Sequence, residues 1–423
     1  MNKKTLVISI DALISDDIPL LETLPNLGSI VKGAAQVRDI ECIYPTLTYP
    51  CHVSIMTGCY PDKHNIVHNE RLQVNVPKPQ WNWWYKDIRV KTMLDYAKAA
   101  GLSTATVTWP VMAGSVADYN IAEIWAPTIH DDPTDICTQA NSPAVAEIFE
   151  RNKGRLKWML TPEFDNYAEH CGAEIIETFQ PDLMFIHFSY VDHQRHQNGV
   201  KGEKVNEALR FVDDKIGTLI AALNRQNLLD KTNIVILGDH GQINVSHLFN
   251  LNKLFYDRGL IDVDEQGKIT GWRMYAQSCA FSAHIHLGPA MDRNEAAAIL
   301  REIQQTYPQE IEKVWTAEEA LTQWHMKGDF EFVVEAATSV SFGKNLTGDL
   351  IESVDNSDYK FSVATHGHLP TKGDQPPFIL SGPDIKMGVQ IQGAKLVDEA
   401  PTIMKIYGIV MEDIDGHPLD VVR

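Results

Sequence analysis

The chain has 423 residues, 44% hydrophobic and 22% charged, with a formal net charge of −19. This is an ordinary globular composition, long enough for a large core plus an inserted module. The acidic balance excludes non-specific binding to nucleic-acid polymers, which needs a basic face. It also means that an anionic substrate requires local positive charge, for which metal ions are one source.

The chain opens on "MNKKTLVISIDALISDD". Two lysines and a short apolar run mimic the start of a signal peptide, but Asp11 interrupts the run and no small-residue cleavage site follows. The run predicts a buried first strand that ends in an aspartate. No other run reaches transmembrane length, so no membrane association is expected. Cys42, Cys51, Cys59, Cys137, Cys171 and Cys279 form no C-x-x-C pair. Sparse cysteines of this kind fit a reducing, cytoplasmic setting.

Next comes "YPTLTYPCHVSIMTGCYP" (44–61), which holds three threonines, a serine, two cysteines and a histidine. Any of its hydroxyls or thiols could be a nucleophile, and the residues alone do not choose between them. "VKTMLDYAKAAG" predicts a helix closed by Gly101, and the β-branched "STATVTW" (103–109) a strand. "DLMFIHFSYVD" (182–192) reads as a buried strand ending in Asp192. Over about 203–224, Val205, Leu209, Val212, Ile216, Leu219 and Leu223 recur at helical steps and form one apolar stripe. "NIVILGDHG" (233–241) is a further strand that ends in acid, at Asp239.

Strands alternating with helices predict an α/β fold with a mostly parallel central sheet. Ligands of such sheets bind beyond the carboxyl ends of the strands. Three strands ending in Asp11, Asp192 and Asp239 would bring three carboxylates to one site. Between about 243 and 360 the pattern changes to short strands ("CAFSAHIHLG"), helices ("DRNEAAAILREIQQTY", "TAEEALTQWH") and a polar irregular stretch. This predicts an inserted α+β cap over 243–360, with the catalytic core formed by 1–242 and 361–423. The core resumes with "FSVATHGH" and a strand in "FILSGPDI". His284 and His286, alternating along a cap strand, read as structural.

The candidate metal ligands fall in clusters: Asp11 alone, Asp192 with His196 four residues on, Asp239 with His240, and His366 in "ATHGH". Three Asp and three His suffice for two sites of three protein ligands, each with an open position for substrate or nucleophile. Mixed carboxylate and imidazole donors suit two zinc ions, with manganese or iron as alternatives. His193 is a spare donor beside Asp192. His64, His68 and His368 receive no role.

Taken together, "ISIDAL", "YPTLTYPCHVSIMTGCYPDKHNIVHN", "TVTWPVMAG", "VDHQRHQNG", "ILGDHG" and "THGH" follow one family order along the whole chain. The sequence resembles the nucleotide pyrophosphatase/phosphodiesterase (type I phosphodiesterase) branch of the alkaline phosphatase superfamily. The resemblance implies a three-layer alkaline-phosphatase-like core and metal-dependent hydrolysis of phosphodiester or pyrophosphate bonds through a covalent phosphothreonine. It places the nucleophile on Thr48 and a phosphoryl-oxygen donor on Asn69. It places one metal among Asp11, Thr48, Asp239 and His240, and the other among Asp192, His196 and His366. Tyr49 stands where relatives border the nucleotide base, and Trp109 and "WNWWY" (81–85) are further aromatic candidates for the same pocket.

Sulfatases of the superfamily use a cysteine within C-x-P-x-R, and the aligned Thr48, Tyr49, Pro50, Cys51 and His52 exclude that chemistry. Cys51 and Asn65 depart from the family's usual Asn and Gly. Secreted members carry disulfide-linked extra domains, so a minimal version of the enzyme is expected here. The expected partner is a small phosphate- or phosphonate-containing molecule. Two alternatives accompany this reading. One is a phosphonate hydrolase resembling phosphonoacetate hydrolase, for which Lys86, Arg89 and Lys91 offer basic contacts. The other is a metal-binding protein that has lost catalysis.

Overall fold

A computed structural model describes residues 3–126, 131–156 and 161–423. Its centre is an eight-stranded sheet, counted among the described residues. In chain order the strands are β1 (Lys4–Ile10), β2 (Ala35–Glu41), β3 (Thr104–Val107), β4 (Tyr119–Ile121), β5 (Leu183–Phe188), β6 (Thr232–Leu237), β7 (Phe378–Ser381) and β8 (Gln390–Lys395). They lie in the order β8-β2-β7-β6-β1-β5-β3-β4. Every neighbouring pair is parallel except those of β7, which runs antiparallel to β2 and β6.

β1 illustrates why the sheet is buried on both sides. Side chains alternate across a strand, so Leu6, Ile8 and Ile10 enter one apolar cluster while Val7 enters the other. The first cluster is covered by helices α2 (Glu163–Phe179) and α4 (Glu203–Arg225), the second by the C-terminal part of α1 (Thr48–Thr57) and by α5 (Glu399–Ile406). The result is a three-layer α/β core. The predicted stripe of α4, from Val205 to Leu223, is buried throughout, and each such side chain contributes about 1.5–3 kcal/mol.

The sequence reading of 182–192 as one strand needs correction. β5 ends at Phe188, and Tyr190–Asn198 forms helix α3, which carries Asp192 in its first turn. The cause lies outside the local sequence. The N–H groups of Ser189 and Tyr190 donate to the Asp165 carboxylate of α2, at 2.9 and 3.1 Å. That side chain satisfies the free donors of the helix start.

Between 243 and 360 the chain builds a four-stranded antiparallel sheet, in the order Met274–Ser278, Ser282–Leu287, Phe332–Ala336, Ile311–Thr316. Helices Arg293–Thr306 and Ala317–Trp324 accompany it. Phe249, Leu254, Ile285, Leu300 and Phe332 belong to an apolar cluster separate from those of the large sheet. The segment leaves and re-enters the core at one place, where Ile243–Asn244 pairs with Ala364–Thr365. Among the described residues no helix is long and apolar enough to cross a membrane.

Candidate active site

Thr48 opens α1, following the extended Leu47. Its hydroxyl therefore sits at the positive end of a helix, where negative charge is favoured. Leu47 provides no side-chain cap. Instead the Tyr49 N–H donates to Asn69 Oδ1, at 2.9 Å, from a loop 20 residues on. Asn69 is in turn held by its neighbours: the Glu70 N–H donates to His68 Nδ1 at 2.8 Å, and Asn82 Nδ2 donates to the His68 carbonyl at 2.8 Å. This leaves Asn69 Nδ2 buried without a hydrogen-bond partner.

Asp11 follows β1, and Asp239 and His240 follow β6, the strand beside it. Asp192 and His196 are four residues apart on α3, hence on one helix face. His366 arrives from the segment that follows Ala364–Thr365. Two glycines make this approach feasible. A Cβ on Gly241 would lie 1.9 Å from the Asp374 carbonyl oxygen, and one on Gly367 would lie 1.8 Å from that of Cys279. His240 and His366 are thus each followed by a residue that must be glycine, which explains the "HG" pairs.

These side chains meet. His240 Nε2 lies 3.1 Å from Thr48 Oγ1, 3.2 Å from Asp239 Oδ2 and 3.6 Å from Asp11 Oδ1. His196 Nε2 lies 3.2 Å from Asp192 Oδ2, and His366 Nε2 lies 3.8 Å from Asp192 Oδ1. Two donor triads each fall within 4.8 Å: Asp192, His196 and His366, and Asp11, Asp192 and His240. Asp192 thus belongs to both triads, a sharing that the sequence reading did not foresee.

The donor set fits divalent cations. Asp11 Oδ1, Asp239 Oδ2 and His196 Nε2 are buried with no hydrogen-bond partner. The three histidines all donate Nδ1–H to a backbone carbonyl: His196 to Ala364 at 2.7 Å, His240 to Gly241 at 3.2 Å and His366 to Thr46 at 2.9 Å. That bond fixes the tautomer and turns Nε2 inward as a free ligand atom. The electrostatics also ask for a cation. Burial, with repulsion from Asp192 and Glu123, pushes the Asp11 carboxyl well above its ordinary range. Burial and Asp11 do the same to Asp239. Burial opposes ionisation of Asp192 too, but the His196, His366 and His240 rings hold it below the usual range. Burial pushes the His366 imidazole down to about 3 and that of His240 well below its usual value, so both are neutral donors.

Two further histidines support the carboxylates from beneath. His187 Nε2 is 3.2 Å from Asp11 Oδ2. His52 donates Nδ1–H to the Thr48 carbonyl at 2.8 Å, lies 3.4 Å from Asp239 Oδ2, and bonds Ser9 Oγ through Nε2 at 2.8 Å. Sequence reasoning missed both, and the available signal was a histidine within an otherwise apolar run ("LMFIHF", "CHVSIM").

The cluster opens into a cavity of about 550 Å³ whose wall includes Thr48, Asn69, Glu123, Trp81, Trp125 and Tyr359. Tyr359 stacks on His366 at 5.6 Å and adjoins Trp81 at 5.7 Å, which in turn adjoins Trp125 at 6.5 Å. The aromatic wall therefore begins at the metal donors. Tyr49 and Trp109, expected as substrate contacts, are both fully buried and are not among the cavity's lining residues. Tyr49 packs edge-on against Trp81, and Trp109 against His52 and Phe185. From "WNWWY" it is Trp81 and Trp83 that line the cavity, whereas Lys86, Arg89 and Lys91 are not among its lining residues. His193 does line it.

The family model for type I phosphodiesterase/nucleotide pyrophosphatase matches residues 5–369. Ectonucleotide pyrophosphatase/phosphodiesterase family member 3 of Bos taurus is 26% identical over 255 residues, 56% of this chain and 24% of the relative. The aligned part thus spans about a quarter of that relative's length. Family member 7 of Rattus norvegicus is 22% identical over 98% of this chain and 85% of its own length. Among solved structures, murine ectonucleotide pyrophosphatase/phosphodiesterase 5 superimposes with a TM-score of 0.71 at 17% identity, covering 100% of both chains. An inactive variant of that murine protein in complex with AMP gives 0.68 at 18% identity, over 98% of this chain and 97% of the other. The fold is that of the alkaline-phosphatase-like α/β proteins, and the chain belongs to the type I phosphodiesterase/nucleotide pyrophosphatase family.

Proposed function

We propose that the protein is a two-metal hydrolase of nucleotide-like phosphodiesters and pyrophosphates, with Thr48 as nucleophile. The observation that carries this is the Thr48 hydroxyl at a helix N-terminus, 3.1 Å from His240 Nε2 and beside two overlapping donor triads. Asp11, Asp239 and His240 would hold one ion next to Thr48, and Asp192, His196 and His366 the other. When bound, zinc or a similar ion lowers the pKa of a hydroxyl and neutralises charge on phosphoryl oxygens.

The chain's own residues then do the following. Thr48 Oγ1 attacks phosphorus, the bond to the leaving oxygen breaks, and a phosphothreonine ester remains. Asn69 Nδ2, which has no protein partner, donates to a phosphoryl oxygen as its charge builds. Water then cleaves the ester and restores Thr48. The aromatic wall holds the organic part of the substrate and excludes water from it. This wall favours a nucleotide over a small phosphonate. Among the described residues of the lining the lysine is Lys78, and it is paired with Asp358 at 3.1 Å.

Residues 243–360 supply Tyr359 and Asp358 to the cavity, which supports their reading as a cap on the core 1–242 and 361–423. The six cysteines are free and buried, which supports a reducing, cytoplasmic setting. The test is acid quench of the zinc-loaded protein during turnover of ATP, followed by peptide mass spectrometry. A nucleotidyl adduct on Thr48 is expected. Turnover without any adduct on that peptide, together with retained activity in Thr48→Ala, would overturn the proposal.

A further inference from the structure

We propose that Glu123 reads a sugar hydroxyl of a ribonucleotide substrate. The inference rests on the nucleotide reading above. Glu123 follows β4 and is 2% exposed, yet it belongs to the cavity wall. Its Oε1 accepts a hydrogen bond from Trp125 Nε1–H at 3.0 Å, while Oε2 has no partner. The other acids of the wall outside the metal-donor cluster are paired: Glu70 with Lys360 at 2.6 Å and Asp358 with Lys78 at 3.1 Å. Among the described residues of the wall, Glu123 is therefore the carboxyl outside that cluster with an unused oxygen. The Tyr49 phenol faces the same carboxyl. Even with that phenol donating, a carboxylate has about four acceptor directions and keeps room for a ligand.

Position selects the ligand group. On one side, His187 connects Glu123 to the metal donors, at 3.9 Å from Glu123 Oε1 and 3.2 Å from Asp11 Oδ2. On the other side, Glu123 is bonded to Trp125, part of the aromatic wall. A nucleotide has the same order of parts. With phosphorus at Thr48 and the base against Trp125 or Trp81, the sugar comes to Glu123. A hydroxyl there supplies a donor to the acceptor directions this buried carboxyl has left, and a substrate without it leaves them unfilled.

The test compares kcat/KM for ATP and 2′,3′-dideoxy-ATP in the zinc-loaded full chain, for wild type, Glu123→Ala and Glu123→Gln. Wild type should prefer ATP by about 10–100-fold. In Glu123→Ala the ratio should fall to within about threefold of unity, whatever the absolute rate. Glu123→Gln, whose amide oxygen can still accept, should be intermediate. A wild-type ratio near unity overturns the proposal before any variant is made, and an unchanged ratio in Glu123→Ala overturns it as well. Calorimetric titration of Thr48→Ala with AMP and 2′,3′-dideoxy-AMP separates this inference from the hydrolytic one. Tighter AMP binding that disappears with Glu123→Ala upholds the sugar contact even if no turnover exists. Equal binding of the two, or binding of neither, overturns it.

Discussion

Replacing Asp11 by Asn should raise the stability of the metal-free protein and lower that of the metal-loaded protein. Asp11 and Asp192 hold carboxylate oxygens within 4.8 Å of each other in a buried cluster. At an effective dielectric constant of about 20, two unit charges so placed repel by about 3.5 kcal/mol. Asn keeps the shape and an acceptor for His187, which sits 3.2 Å from Asp11 Oδ2, but removes one charge. Proton uptake relieves part of the repulsion in the wild-type cluster, so the net gain should be about 1–3 kcal/mol. With about 2.1 cal/mol/K of unfolding entropy per residue, that gain is about 1–3 °C in Tm. A cation present at 100 to 1,000 times its Kd adds about 2.7–4.1 kcal/mol per site to the wild type. The variant, with a neutral and weaker donor, should lose most of one such increment. Scanning calorimetry in chelator and in zinc gives the comparison. An equal drop in Tm under both conditions would refute the reasoning, because Asp11 would then be held by protein bonds rather than reserved for a cation.

Other perturbations test neighbouring parts of the account. Asn69→Asp keeps the acceptor for the Tyr49 N–H but replaces the free donor by an oxygen, so kcat should fall by about 10²–10³-fold with the helix intact. Gly367→Ala puts a Cβ 1.8 Å from the Cys279 carbonyl at a φ of +91°. It should cost about 3 kcal/mol or more in urea denaturation and reduce metal occupancy through His366. Glu335 gives a pH signature. Burial pushes its carboxyl up to about 7, although Lys372 at 2.8 Å and the Leu369 N–H at 3.1 Å favour the ionised form. The folded pKa lies above the unfolded one, so the contribution to stability is complete below about pH 4.5 and is lost as pH rises through about 7. Urea midpoints between about pH 5 and pH 8 should fall less steeply in Glu335→Gln.

Much of the site was legible because its chemistry is written into short local patterns. Asp11 and Asp239 each terminate an apolar run, and His240 and His366 carry the glycine that their close backbone packing demands. Asp192 lies beside His196 and His366, but on a helix where the sequence predicts the end of a strand. The aromatic and β-branched "FSYV" favours a strand locally, and the capping carboxylate that starts α3 comes from Asp165, 24 residues earlier. The aromatic wall was only partly visible. Trp81 lies in an obvious aromatic run, but Trp125 and Tyr359 come from separate segments that only the fold brings together. Trp109 and Tyr49 had the right chemistry for a base slot, yet tertiary packing buries both. His52 and His187 lie within apolar runs and are buried; their polar role appears only through the carboxylates beside them.

The most direct measurement is hydrolysis of bis-p-nitrophenyl phosphate against p-nitrophenyl phosphate by the zinc-loaded protein, with Thr48→Ala at equal metal occupancy as control. The account predicts faster release from the diester, and a loss of about 10³-fold or more in the variant, equivalent to about 4 kcal/mol of barrier. Near-normal turnover by metal-loaded Thr48→Ala would contradict it.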